Sequence, residues 1–412
     1  MMLRRSADKV SNFRRPHRLT RSLGAVVLAS TLSAGGTLLA STGAGAVSGL
    51  TVASGLDGTS SIFVDSAGNI YSGSWAAGTV QKTTQAGLTT TLASGMQYPG
   101  LFTMDSLGNL YVANTNSSGI LKITPSGTAS TFATPSYPTG MAFGPNGNLY
   151  VTEYFAGDVM EIDTGGSVAN IISVPTPHAI VFDPAGNAYI TSYGNGEIYK
   201  ILAGTHNAVS FATTPGALAD QLFMNPSGTT IYETSRGDDF VNQIDVATGA
   251  VTTLATDSSL AQPCNGAIAS TGNLFIGSCT NWVIDKITPA GVVSRVFRGS
   301  PGALFTSGSL LYVGKNHTVR LFGASSPSAP SHVEAKPHGS RVTISWQAPS
   351  SNGGARITKY KVSMSPGGKS CKTSRHSCSI KKLSIKKRYT VKVRAMNAAG
   401  TGPAAILRHV KG

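Results

Sequence analysis

Short runs in which apolar and polar residues alternate fill most of the chain, separated by turns of Gly, Asn, Asp and Ser. That is the pattern of half-buried strands joined by tight turns. One stretch holds four such runs in succession, LFTMD (101–105), NLYVA (109–113), GILKI (119–123) and TASTFA (128–133), which predict an inner, a second, a third and an outermost strand. The phrase at the first turn, DSLGNLYVAN from Asp105, returns as DSAGNIYSGS from Asp65, GPNGNLYVTE from Gly144 and DPAGNAYITS from Asp183. Its turn glycines, Gly68, Gly108, Gly147, Gly186, Gly228, Gly272 and Gly308, are spaced by 40, 39, 39, 42, 44 and 36 residues. A period near 40 with several short strands per unit predicts a β-propeller, since few windows place apolar residues at helical spacing. Glycine recurs because the hairpin between the first two strands needs a positive backbone angle.

The two ends predict how the ring closes. The last copy, ALFTSGSLLYVGKNHTVRLFG, has material for three strands, while LTVASG (50–55) supplies a lone strand ahead of the first copy. The chain therefore predicts an all-β fold, a seven-bladed propeller over 47–325 whose last blade is completed by the N-terminal strand, with six blades as the alternative count. Residues 1–46 have the form of a signal peptide: a basic opening, the apolar run LGAVVLASTLSAGGTLLA, and small residues at Ala44-Gly45-Ala46. No later stretch has the roughly 20 apolar residues of a spanning helix, so the expectation is a secreted, extracellular or surface-associated protein with no transmembrane anchor.

Charge divides the 412 residues unevenly. The net charge of +15 comprises +6 in the leader, −7 over 47–325 and +16 over 326–412, where 17 Lys and Arg face the single acid Glu334. Cysteine adds two short-range pairs, Cys264 with Cys279 and Cys371 with Cys378, which in an exported chain predict two disulfides, the first a cross-strand staple and the second a tie at a hairpin tip.

The Gly-Asn turn followed by an apolar-aromatic strand resembles the NHL-repeat, SMP-30 and virginiamycin B lyase-like propellers. That resemblance implies the architecture over about 47–325, and its members include sensors, scaffolds, lactonases and lyases, so activity does not follow from it. TPHAI and LYVTE resemble lyase blade phrases. The lyase site requires a second histidine beside a glutamate, whereas ETSRG has none and His206 and His317 lie in other loops. After a Ser/Pro/Ala-rich linker, GASSPSAPSH from Gly323, the runs VTISWQAP, ITKYKVSM and YTVKVRAMNAAGTGPA resemble a fibronectin type III domain, with Trp346 in the core and Tyr389 at the corner position. The 326–412 module is thus read as linker plus fibronectin-like sandwich. Strand alternation in that sandwich turns Lys359, Lys361, Lys392 and Arg394 to one solvent face, a surface for a polyanion such as a cell-envelope polymer or acidic polysaccharide. Nucleic acid is disfavoured, because no aromatic residues interleave with the cations as stacked bases require.

Candidate chemistry gathers on the propeller face opposite the Gly-Asn turns. TPHAI presents His178 there, TEYFAGD presents Glu153 and Tyr154, and ETSRGDDF presents Glu233, Arg236 and Asp238; Tyr98, Tyr137, Tyr193 and Trp282 join them. His178, Glu153 and Glu233 are the catalytic candidates, and no base, acid and nucleophile can be assigned together. Tyr137, Tyr154, Tyr193, Arg236, Asp238 and Trp282 form a rim for a protein or glycan. Carboxylates with Asn114, Asn195 or Asn281 would suit calcium or magnesium, with Glu153 and Glu233 converging on one ion as the specific arrangement to look for. Two function classes follow. One is an exported recognition or scaffold protein, with the rim binding a ligand and the cationic module binding anionic polymer. The other is a secreted metal-dependent lyase- or lactonase-like enzyme, or a polysaccharide-degrading protein.

Overall fold

The computed structural model describes residues 49–116, 119–216, 218–299 and 302–412; the leader reading for 1–46 lies outside them. Residues 50–322 form seven four-stranded antiparallel sheets. Their inner strands are Ser61–Val64, Pro99–Met104, Pro138–Phe143, Pro177–Phe182, Ala219–Met224, Pro263–Ile268 and Leu304–Ser307, which number sheets one to seven below. Each neighbours the next, and the seventh lies beside the first. In the seventh sheet Leu50–Ser54 pairs with Thr318–Phe322, so the N-terminal strand supplies the outermost strand and completes the fourth place in that sheet. Aliphatic and aromatic residues between successive sheets form the core, Leu110, Val112 and Ile123 with Tyr71 in one layer, Ile190, Ile201 and Val159 in another.

The recurring phrase has a polar reason beyond its glycine. Asp105 accepts from the backbone N–H of Asn109 (2.8 Å), from its side-chain amide (2.7 Å) and from Tyr111 Oη (3.1 Å). Asp65 and Asp183 make the same three bonds to Asn69 and Tyr71 and to Asn187 and Tyr189. Burial alone would raise the Asp105 carboxyl, but these donations, led by Asn109, hold it below the ordinary aspartate value. In sheet three the aspartate is missing, replaced by Gly144. Its role passes to Glu161 on the third strand, which accepts from Asn148 (2.7 Å), Tyr150 (2.8 Å) and Asn146 (2.9 Å). Glu161→Ala should therefore cost about 2 kcal/mol in urea unfolding, since the half-buried Asn148 amide and Tyr150 phenol lose this acceptor.

The second module is a sandwich. A three-stranded sheet (Ser331–His338, Arg341–Gln347, Ser377–Ile380) packs on a four-stranded one (Ser370–Thr373, Lys359–Ser365, Arg388–Asn397, Gly400–Lys411). Trp346, Tyr360, Val362, Val391 and Val393 fill the space between them. Tyr389 Oη accepts from the Ser384 backbone N–H at 3.0 Å, closing the expected corner. Cys371 and Cys378 are disulfide-bonded, but not at a hairpin tip: they lie on edge strands of different sheets, because the strand Ser370–Thr373 pairs with Lys359–Ser365 while Ser377–Ile380 pairs with Arg341–Gln347. The linker is pinned instead of spanning a gap. Asn397 Nδ2 donates to the carbonyls of Ser325 (2.7 Å) and Asn352 (2.8 Å), and Ala355 joins the apolar cluster of Leu56, Ile62 and Leu321 in the propeller.

Candidate functional site

All seven inner strands line a central channel of about 680 Å³. Side chains at its walls stitch neighbouring sheets together: Ser61 Oγ donates to Pro99 O (3.0 Å), Thr139 Oγ1 to Pro177 O (3.1 Å) and Gln221 Nε2 to Cys264 O (3.1 Å), while Asn265 bonds Gly302 O at 2.5 Å. His178 belongs to this series, its Nδ1 lying 2.8 Å from the carbonyl of Asp220. The same nitrogen is 3.0 Å from Asp220 Oδ1, and Arg236 Nε is 3.2 Å from Oδ2, so Asp220 is the centre of a polar triplet. Burial drives the Asp220 carboxyl upward, and the charges of His178 and Arg236 oppose it. The sequence reading missed Asp220; an aspartate in the apolar entry ALADQLF, one position after the place that Pro99, Pro138, Pro177 and Pro263 take in four other sheets, was its signal.

Above the triplet sits an aromatic cluster from sheets three and four. Tyr137 meets Phe155 edge-on (4.6 Å between centroids), Phe155 meets Tyr154 (5.2 Å), Tyr154 meets Tyr193 (5.9 Å), and Tyr193 meets His178 (5.4 Å). Phe155, 73% exposed, was not foreseen as a rim residue. Tyr98 pairs with Trp75 over sheets one and two at 5.7 Å, while Trp282 stands exposed at sheet six, so the predicted rim divides into three separate aromatic groups. Tyr98, Tyr137, Thr176 and Gln262 adopt left-handed backbone angles (φ 60°, 52°, 41° and 49°) directly before the prolines that open their strands. That conformation is strained for residues with a side chain, and it recurs here at the channel mouth.

Glu153 and Glu233 do not converge. Glu153 accepts from the Ser136 backbone N–H and so latches the loop entering its own sheet, in the role that Ser192 fills by donating to Pro175 O (2.6 Å) and Ser278 by bonding Ala261 O (2.5 Å). Burial raises its carboxyl, the Ser136 donation lowers it, and Asp158 raises it further. Glu233 lies two residues deeper in register. It pairs with Leu222 where other sheets pair Met141 with Val151 and Ile180 with Ile190, so it is fully buried in an aliphatic position, bonded to Asn242 at 2.9 Å. Asn114, Asn195 and Asn281 are committed to Gln97, to Glu197 and to the Ser258 carbonyl. His206 pairs with Glu161 (3.3 Å) and His317 lies 2.7 Å from Leu56 O, so neither joins His178. Among the described residues no three His, Cys, Asp or Glu side chains gather around a common metal position. Cys264 and Cys279 are bonded to each other at the channel wall.

On the fibronectin-like sandwich, Lys361 stands directly between Arg394 on one neighbouring strand and Lys372 on the other, and Lys392 lies opposite Ser363. Lys359, Lys361, Lys372 and Lys392 are exposed. Arg394 is half-buried and donates to Gly402 O at 2.9 Å. Each ion pair found among the described residues lies in the propeller, none in the sandwich.

Residues 328–407 match the fibronectin type III domain family. No curated protein matches the chain in sequence. In fold it is similar to virginiamycin B lyase from Staphylococcus aureus (16% identity, 64% of this chain and 94% of that one, TM-score 0.58). It is also similar to the extracellular domain of a putative hybrid two-component system from B. thetaiotaomicron (11% identity, 86% and 56%, TM-score 0.58). Hydrazine synthase from Kuenenia stuttgartiensis gives 17% identity over 68% and 99%, with TM-score 0.55. A lyase, the extracellular domain of a two-component system and a synthase sharing one architecture leave function to be argued from the site. Among the described residues no helix is long and apolar enough to cross a membrane. The chain is a β-propeller followed by a fibronectin type III domain.

Proposed function

We propose that this is an exported recognition protein whose fibronectin type III sheet holds it to an anionic envelope or matrix polymer while the propeller mouth binds a glycan or protein ligand. One observation carries the reading: Lys372, Lys361 and Arg394 stand side by side across three strands with no acid among them. Like charges placed directly opposite one another cost stability, and a bound polyanion removes that cost. The opposite charge of the propeller keeps the attraction local to this face.

At the mouth, the T-shaped cluster of Tyr137, Tyr154, Phe155 and Tyr193 offers apolar ring faces beside the polar Asp220–Arg236 pair, the mixture that binds sugars and peptide side chains. Tyr193→Ala and Tyr154→Ala should each weaken binding to an active member of a soluble oligosaccharide panel by roughly tenfold to thirtyfold, the usual loss for a truncated aromatic anchor. Unchanged binding in both variants would move the ligand site away from the mouth.

A further inference from the structure

Sheet five departs from its neighbours at one buried spot. Where the second strands of sheets two, three, four and six place Val112, Val151, Ile190 and Ile276, all 0–1% exposed, sheet five places Glu233, at 0%. Across from it stands Asn242, also 0% exposed, and two residues further on the same face stands Ser235, at 1%. Glu233 Oε2 accepts from Asn242 Nδ2. Four oxygens are then left buried without a donor: Glu233 Oε1, Asn242 Oδ1, Ser235 Oγ and Asp238 Oδ2. Gly216 covers the group closely, since a Cβ there would collide with Asp238 Oδ2 and lie 3.0 Å from Ser235 Oγ.

Four donor-less oxygens in a buried space form an expensive arrangement for a folded protein, because each has lost water without gaining a partner. A cation reverses the sign of that arrangement. Two carboxylates, an amide oxygen and a hydroxyl, with no sulfur or imidazole, make a hard ligand set of the kind that selects calcium or magnesium over zinc or copper. We infer that Glu233, Asp238, Asn242 and Ser235 form a binding site for a hard divalent cation, with calcium the better match because the ligands come from two strands and a loop. The site is distinct from the channel and does not depend on the recognition reading. Its effect reaches the mouth nevertheless: Asp238 lies on the same loop as Arg236, which pairs with Asp220.

The test uses the full chain, stripped with a chelator and exchanged into buffer, with Ca2+ as the probe and Mg2+ for comparison. Addition of millimolar Ca2+ should raise the melting temperature by several degrees and give a saturable calorimetric binding signal, since a ligand bound only by the folded state stabilises it in proportion to ln(1 + [Ca2+]/Kd). Glu233→Gln and Asp238→Asn should each abolish or weaken the response at least tenfold. Asp163→Asn, at an exposed turn far along the sequence, should leave it unchanged. Absence of any response in the unmodified protein overturns the inference, and so does a response that survives in both variants. Asp238→Asn keeps the test decisive if Glu233→Gln fails to fold, because Asp238 sits on a loop.

Discussion

Glu233→Gln should stabilise the chelated protein at pH 8 and leave it unchanged at pH 4. Burial raises the Glu233 carboxyl from its ordinary value of 4.5 to about 7, opposed by the Asn242 donation and reinforced by the charges of Asp238 and Asp220. The folded state therefore binds the Glu233 proton more tightly than the unfolded chain does. Stability from this group is fully present below about pH 4.5 and is lost as pH rises through about 7, amounting to about 3 kcal/mol by pH 8. Glutamine keeps an acceptor for Asn242 and carries no charge to desolvate, so the variant should show a flat profile over that window. Urea unfolding at a series of pH values in chelator checks it. A parallel fall in stability for wild type and variant would assign the loss to other groups.

The second large effect concerns the cationic sheet. Replacing Lys359, Lys361, Lys372 and Lys392 by Gln removes four exposed charges while keeping long polar side chains and leaving Arg394 with its Gly402 bond. All four point away from the core of Trp346, Tyr360 and Val362, so folding and thermal stability should be unaffected or slightly improved as the like-charge rows disappear. Affinity for an acidic polysaccharide should fall on the order of tenfold to a hundredfold at low salt, and wild-type binding itself should collapse at high salt as the face is screened.

Much of the fold could be read in the sequence, because it is written in turn chemistry. Each Asp-x-x-Gly-Asn-x-Tyr phrase names its own hairpin and the side chains that bind it, and three strands at one end with one at the other point to closure by the N-terminal strand. Trp346 and Tyr389 did the same for the sandwich. The cationic face was also legible, since strand alternation alone turns Lys359, Lys361, Lys392 and Arg394 outward. What could not be read was register near the site. Glu233 stands in register with Val151 of sheet three, two residues before the end of its strand, so it takes an aliphatic core position, while Ser235 takes the terminal place that Glu153 holds. Asp220 escaped notice for a related reason: its significance lies in His178 and Arg236, which are 42 and 16 residues away in sequence and meet it only when sheets four and five are packed together.

The role of the fibronectin type III sheet as an anchor is tested most directly by co-sedimentation of the full chain, and of its four-lysine variant, with isolated cell envelopes at low and high salt. The anchor account predicts that the unmodified protein pellets with envelopes at low salt and is released at high salt, while the variant stays in the supernatant under both conditions. Equal pelleting of the two proteins, or pelleting that salt does not disturb, would contradict it.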